Sequence, residues 1–121
     1  MSVARISIVE YQSVDDAKVG IEKYKNIAPA IFAEAQYLNV TMIAEDTAHF
    51  LAVYPNQQAA DEALQRRNKH VDSMKEHIRD VMYYEGDVEW QWFPWIYGKF
   101  ILQDLGGCFL KNTSSFGKQE T

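Results

Sequence analysis

Three histidines are the first residues able to do acid–base chemistry: His49, His70 and His77. His70 and His77 stand seven apart, about two helical turns, so a helix places them nearly one above the other. Both border an apolar stripe that includes Val71 and Ile78. A histidine on such a border can aim one ring nitrogen into a cavity while the other meets water or a carboxylate. That suits a general base or a haem ligand. The plain alternative is a pair of half-exposed surface histidines. Helical metal pairs favour a spacing of four, whereas seven residues separate the rings by about 10 Å, too far to share one ion. No metal site is therefore expected. His49 opens a strand and would act only with Asn39 or Asp46 across a hairpin. The expected catalytic set is His77, His70 and Asn39.

Flat ligands call for aromatic walls. Trp90, Trp92, Phe93, Trp95, Tyr97 and Phe100 fall within eleven residues, which suits either a ligand pocket or an interface. Arg67 falls in the middle of the apolar stripe of its helix. A buried arginine there must find a carboxylate or a bound anion, unless the helix breaks and the side chain snorkels. Trp90, Trp92, Arg67 and Tyr37 are the expected ligand-binding residues, with Tyr11 and Tyr24 as weaker polar-tipped candidates. Cys108 follows a Gly-Gly turn with no histidine near it in sequence, which argues against a nucleophile. Phosphate-loop, dinucleotide, serine-hydrolase and zinc-protease motifs are absent.

These residues need elements to position them. Residues 3–11 alternate as a strand, with Arg5, Ser7 and Val9 on one face and Ala4, Ile6 and Ile8 on the other. Ser13 with Asp16 caps a helix, which Pro29 should end or kink. Residues 37–45 and 49–54 read as a hairpin across the Glu45-Asp46-Thr47 turn. Asn56 caps a second helix. Its stripe of Ala60, Ala63, Leu64, Val71, Met74, Ile78, Val81 and Met82 runs for about 25 residues, long for a globular helix, with a break expected near Asn68–Lys69. A last strand is expected at 88–93. The order is βαββαβ, an α+β, ferredoxin-like, four-stranded antiparallel sheet with helices on one face. Both sheet faces carry apolar residues, so the face away from the helices should meet a second copy of the chain. Residues 1–93 are expected to form the domain. Residues 94–121 are expected as an extension packing on it or on the partner, with a mobile polar end.

The 121 residues suit one domain, and apolar and charged shares of 47% and 24% indicate a globular chain. A net charge of −5 argues against nucleic acid and anionic membranes as partners. A single cysteine excludes an internal disulfide. Met1–Glu10 lacks the character of a signal peptide and no apolar run reaches membrane-spanning length. The expected location is the cytoplasm.

Several stretches resemble the dimeric α/β-barrel superfamily, and within it the antibiotic-biosynthesis-monooxygenase-like domains. They are Arg5-Ile-Ser-Ile-Val-Glu-Tyr followed by Asp15-Asp16-Ala17, the hairpin from Asn39 to Tyr54, the turn Tyr54-Pro55-Asn56-Gln57-Gln58-Ala59-Ala60, and Gly86-Asp87-Val88-Glu89-Trp90. The resemblance implies a pocket between sheet and helices. It also implies a homodimer and either cofactor-independent monooxygenase-like chemistry on an aromatic small molecule or a non-catalytic dimeric binding protein. Similar haem-degrading enzymes use a helix histidine, nearest here to His77, with an asparagine in strand one. Strand one here has Arg5, Ser7, Glu10 and Tyr11 instead, a departure that argues against haem degradation.

Overall fold

The computed structural model describes residues 1–92. Strand β1 spans Val3–Tyr11, helix α1 Val14–Ile31, β2 Tyr37–Ala44, β3 Thr47–Tyr54 and α2 Gln57–Ser73. A single 3-10 turn at Lys75–His77 leads into β4, Ile78–Asp87. The sheet order is β2-β3-β1-β4, every neighbour antiparallel. Met1–Val88 forms one compact unit, and Glu89 begins a second. The extension expected at 94–121 lies outside the described residues. Among those described, no helix is long and apolar enough to cross a membrane.

The caps are those the sequence demands. Ser13 accepts from the Asp16 amide at 3.0 Å and Asn56 from the Ala59 amide at 2.8 Å, so each helix starts with an otherwise orphaned donor satisfied. Pro29 stays inside α1, two residues before its end, where the Phe32 amide closes the last turn on the Ala28 carbonyl at 2.9 Å.

The second half of the long helical stripe is not helix. α2 stops at Ser73, and residues 78–87 form β4 instead of the expected strand at 88–93. Ile78, Val81, Met82, Tyr83 and Tyr84 fit a helical stripe by spacing, yet β-branched and aromatic types favour a strand. The free edge of β1 decides the matter: pairing runs from Val3 opposite Asp87 to Tyr11 opposite Ile78. Trp90 and Trp92, expected on the last strand, follow it and are exposed.

Pairing sorts the sheet into two faces. Three rows face the helices: Leu38–Ala52–Arg5–Glu85, Val40–Phe50–Ser7–Tyr83 and Met42–Ala48–Val9–Val81. The opposite face shows Asn39–Leu51–Ile6–Tyr84 and Thr41–His49–Ile8–Met82. β1 is therefore inverted relative to simple amphipathicity. Its polar Arg5 and Ser7 are buried under the helices, while Ile6 and Ile8 are only half-buried on the far side.

Helices and sheet meet through small residues. Ala60 and Ala63 of α2 are fully buried beside Val3, Tyr24, Ala28, Phe32 and Tyr54. Ala17 of α1 packs with Val9, Tyr11 and Ala48 in a second cluster. Gly20 lets α1 approach β1, because a Cβ there would lie 2.6 Å from a ring carbon of buried Tyr11. Replacing Gly20 by Ala gains about 1 kcal/mol of helix propensity, but overpacking costs about 1–3 kcal/mol. The Gly20→Ala variant should melt a few degrees below the parent by calorimetry. A higher melting temperature would show that the Tyr11 ring yields freely.

Candidate functional site

Between the sheet and the helices lies a cavity bounded by β1, β3, α1, α2 and the start of β4. Its polar lining is Arg5, Ser7, Arg67 and His70, and its aromatic lining is Tyr11, Tyr24, Phe32, Phe50 and Tyr54. Counting space that opens toward solvent it measures about 580 Å³, of which about 60 Å³ admits water centres. The latter is room for about four waters.

Arg5 is the most deeply buried charge among the described residues, 3% exposed. Cross-strand pairing puts Glu85 beside it on β4 and Tyr83 one inward position along. Arg5 Nη2 donates to Glu85 Oε1 at 3.1 Å and to the Ala60 carbonyl at 2.6 Å, and Nε donates to the Tyr83 hydroxyl at 3.1 Å. The Tyr83 hydroxyl donates to Glu85 Oε1 at 2.5 Å, and Gln57 donates to Glu85 Oε2 at 2.7 Å. These donors, Tyr83 first, then Gln57 and Arg5, hold the Glu85 carboxyl below the usual carboxylate range. Burial alone would lower the Arg5 pKa, but the bonds to Tyr83 and Glu85 outweigh it and raise it. Arg5 Nη1 is buried with no hydrogen-bond partner.

Arg67 reaches the same place from α2. It follows Ala60 and Ala63 on the helix face turned to the sheet, continued by His70, Val71 and Met74. Nη2 donates to the Ser7 hydroxyl at 2.9 Å and Nη1 to Asn68 Oδ1 at 3.0 Å. The guanidinium lies 4.6 Å from the centre of the Tyr83 ring, and that of Arg5 5.9 Å from the same centre. Among the described residues no carboxylate pairs with Arg67, and its Nε is buried without a partner. Burial first, then the neighbouring Arg5 charge, pulls the Arg67 pKa below its ordinary value.

His70, half-buried, lines the cavity 6.3 Å from the Tyr24 ring centre. Burial, helped by the Lys23 charge, depresses its pKa below the ordinary 6.5, so the ring is neutral at pH 7. Burial pushes the hydroxyls of Tyr11 and Tyr24 up to about 12. Both are therefore protonated donors at neutral pH. Among the described residues that line the cavity, the imidazole of His70 is the uncharged base at neutral pH.

The structure brings together His70 and Arg67 with the weaker candidates Tyr11 and Tyr24, and places His77, Asn39 and Tyr37 elsewhere. His77 is in the 3-10 turn, where Nδ1 meets Asp16 Oδ1 at 2.7 Å and Nε2 lies 3.4 Å from Glu76. With the amide of Gln12 donating to its carbonyl at 2.8 Å, it joins the start of β4 to the start of α1. The His77 bond, then Ser13, hold the Asp16 carboxyl below its usual range. Asn39 and Tyr37 lie on the sheet face away from the helices, where Asn39 Oδ1 accepts from Thr41 at 2.8 Å. Trp90 and Trp92 lie beyond β4. Arg5, Ser7 and Tyr54 were missed as site residues. The available signal was the alternation in β1, which sets Arg5, Ser7 and Val9 on one face.

Haem does not fit this arrangement. His77, the position matched to a haem-handling histidine, does not line the cavity but is held by Asp16 in the 3-10 turn.

No family model matches the chain and no curated protein matches it. Solved structures do. A dimeric ferredoxin-like protein from an uncultured marine organism superposes with a TM-score of 0.62 at 8% identity, covering 76% of this chain and 91% of its own. A candidate antibiotic biosynthesis monooxygenase from Chloroflexus aurantiacus gives 0.61 at 10% identity over 75% and 97%. A variant of SnoaB, a cofactor-independent oxygenase from Streptomyces nogalater, gives 0.59 at 10% identity over 74% and 95%. The chain has the ferredoxin-like fold of these antibiotic-biosynthesis-monooxygenase-like structures.

The depressed pKa of His70 has a thermodynamic consequence. Below pH 6.5 the unfolded chain binds a proton that the folded chain resists, so this contribution to stability is complete above 6.5 and is lost as pH falls through the folded value. Melting temperatures measured from pH 7.5 to 5.5 should therefore fall more steeply for the parent than for His70→Gln. Parallel curves would show that His70 titrates as it does in water.

Proposed function

We propose that the chain is a small-molecule enzyme of the cofactor-independent, monooxygenase-like kind, working on an aromatic substrate in the cavity between sheet and helices. The observation that carries this is His70, held neutral by burial at the wall of an aromatic-lined cavity. A neutral imidazole removes the proton of an acidic ring CH2 or phenol, and the resulting carbanion or phenolate is electron-rich enough to reduce dioxygen directly. For a ring methylene the balance is CH2 plus O2 giving C=O plus H2O, one oxygen atom staying on carbon. The fold shared with a cofactor-independent oxygenase supports this reading.

Oxygen uptake with an anthrone as substrate tests it. The parent should accelerate uptake above the buffer rate, and His70→Ala should lower that acceleration about 100-fold, the lower end for loss of a positioned general base. The absence of any acceleration would leave the second reading, a non-catalytic binding protein. That reading is favoured by the small water-accessible volume, which leaves a ring-sized ligand only the part that opens to solvent.

We also infer a homodimer formed through the sheet face away from the helices. Ile6, Ile8, Leu51, Met82 and Tyr84 give that face a continuous apolar centre across β3, β1 and β4, the character of an association surface. Light scattering on a sizing column should return twice the chain mass of 14.0 kDa. Ile8→Glu should return one mass with helical and sheet signals intact. A parent that elutes as a monomer at micromolar concentration overturns the inference.

A further inference from the structure

We propose that the cavity selects a ligand bearing one negative oxygen-centred charge, a small aromatic carboxylate, bound by Arg67 and Arg5 with Ser7. The proposal rests on the reading of this cavity as the ligand site and adds the charge of what it takes.

The charge balance points this way first. Arg5 and Arg67 bring two guanidiniums to one patch of the cavity wall, and among the described residues one carboxylate, Glu85, accompanies them. Glu85 is already engaged by Arg5, Tyr83 and Gln57. Arg5 and Glu85 therefore neutralise each other, and Arg67 is left as one uncompensated positive charge among the described residues. The groups it contacts are a serine hydroxyl, an asparagine amide oxygen and the face of Tyr83, none of them an anion.

The donor balance agrees. Arg5 Nη1 and Arg67 Nε are both buried and lack a hydrogen-bond partner. Arg5 is more than nine-tenths buried and lines the cavity, as Arg67 and Ser7 do. The protonated Tyr11 and Tyr24 hydroxyls add donor capacity. A lining so rich in donors favours an acceptor, and a carboxylate offers two oxygens with about four lone-pair directions, matched to guanidinium geometry. The water-accessible volume of about 60 Å³ has room for such a headgroup. An aromatic body then lies in the part that opens to solvent, against rings such as Phe32, Phe50 and Tyr54. One surplus positive charge favours a monoanion over a dianion such as a phosphate monoester.

The test is calorimetric titration of the full chain at pH 7.5 with 2-naphthoate and with its neutral isostere 2-naphthamide. Naphthoate should bind at least 10-fold more tightly than the amide. Arg67→Met should weaken naphthoate at least 10-fold and shrink its preference over the amide to within about 2-fold, with circular dichroism confirming the fold. Equal binding of the two ligands to the parent would overturn the charge selection and leave the cavity standing as a ligand site. Binding of neither would remove both. Because the comparison of the two ligands is made on the parent chain, it holds even if the Arg67→Met variant does not fold.

Discussion

The placing of two guanidiniums between β1 and α2, Arg5 buried and Arg67 half-buried, is the constraint around which the rest of this structure is arranged. An unpaired charge in an apolar interior is among the most costly things a fold can contain. Here it is accommodated by a short chain of dependencies. The β1–β4 register sets Glu85 opposite Arg5 and Tyr83 opposite Ser7, the alanines of α2 permit close approach, and the Ala60 carbonyl accepts from Arg5. A slip of β4 by one residue would turn Tyr83 and Glu85 to the other face and strip Arg5 of its carboxylate. The order of the sheet and the electrostatics of the cavity are thus one problem with one solution.

The same inversion gives the sheet two unlike faces. A strand with Arg5 and Ser7 under the helices must send Ile6 and Ile8 to the far side, because successive side chains alternate. Polar chemistry in the cavity and apolar surface on the opposite face are two consequences of a single alternation. This is why the cavity and the inferred dimer surface are linked through β1, whose alternate residues serve each.

Much of this was legible in the sequence, and what was not has physical causes. Strand β1, the two N-caps and the hairpin rest on local signals, the alternation of 3–11 and the side-chain acceptors of Ser13 and Asn56, and local signals survive folding unchanged. The identity of residues 78–87 does not rest on them. Ile78, Val81 and Met82 satisfy a helical period and a strand composition together, and the choice falls to a pairing with β1 some seventy residues away in sequence. That error carried others with it. It set His77 on a cavity-facing helix, where the structure has a 3-10 turn whose His77 ring meets Asp16, and it set Trp90 and Trp92 on a strand they follow. Asn39 was misplaced for a different reason, because alternation shows which residues share a face but not which face the helices cover. His70 and Arg67 lie before the break, and for them helical geometry gave the right neighbourhood.

Arg66 and Arg67 make the final point, because they are the same residue type side by side on one helix with opposite circumstances. Arg66 donates to the Ile31 carbonyl at 2.7 Å, at the C-terminal end of α1, and pairs with Glu34. There its charge meets the negative end of a helix and a carboxylate together, a favourable placement at the surface. The Glu34 carboxyl is held low by its own backbone amide and then by Arg66. Arg67, one hundred degrees around the helix, meets neither, and burial works against its charge. For packing alone a methionine of similar length at position 67 would fill the space without desolvating a cation, and such replacements are often neutral or stabilising. The interior as it stands therefore gives Arg66 a structural account and Arg67 only half of one: a hydroxyl, an amide oxygen and a ring face are contacts a cation accepts, while none supplies the opposite charge. Among the described residues none supplies Arg67 with an opposite charge, and that gap is what the proposed carboxylate would fill.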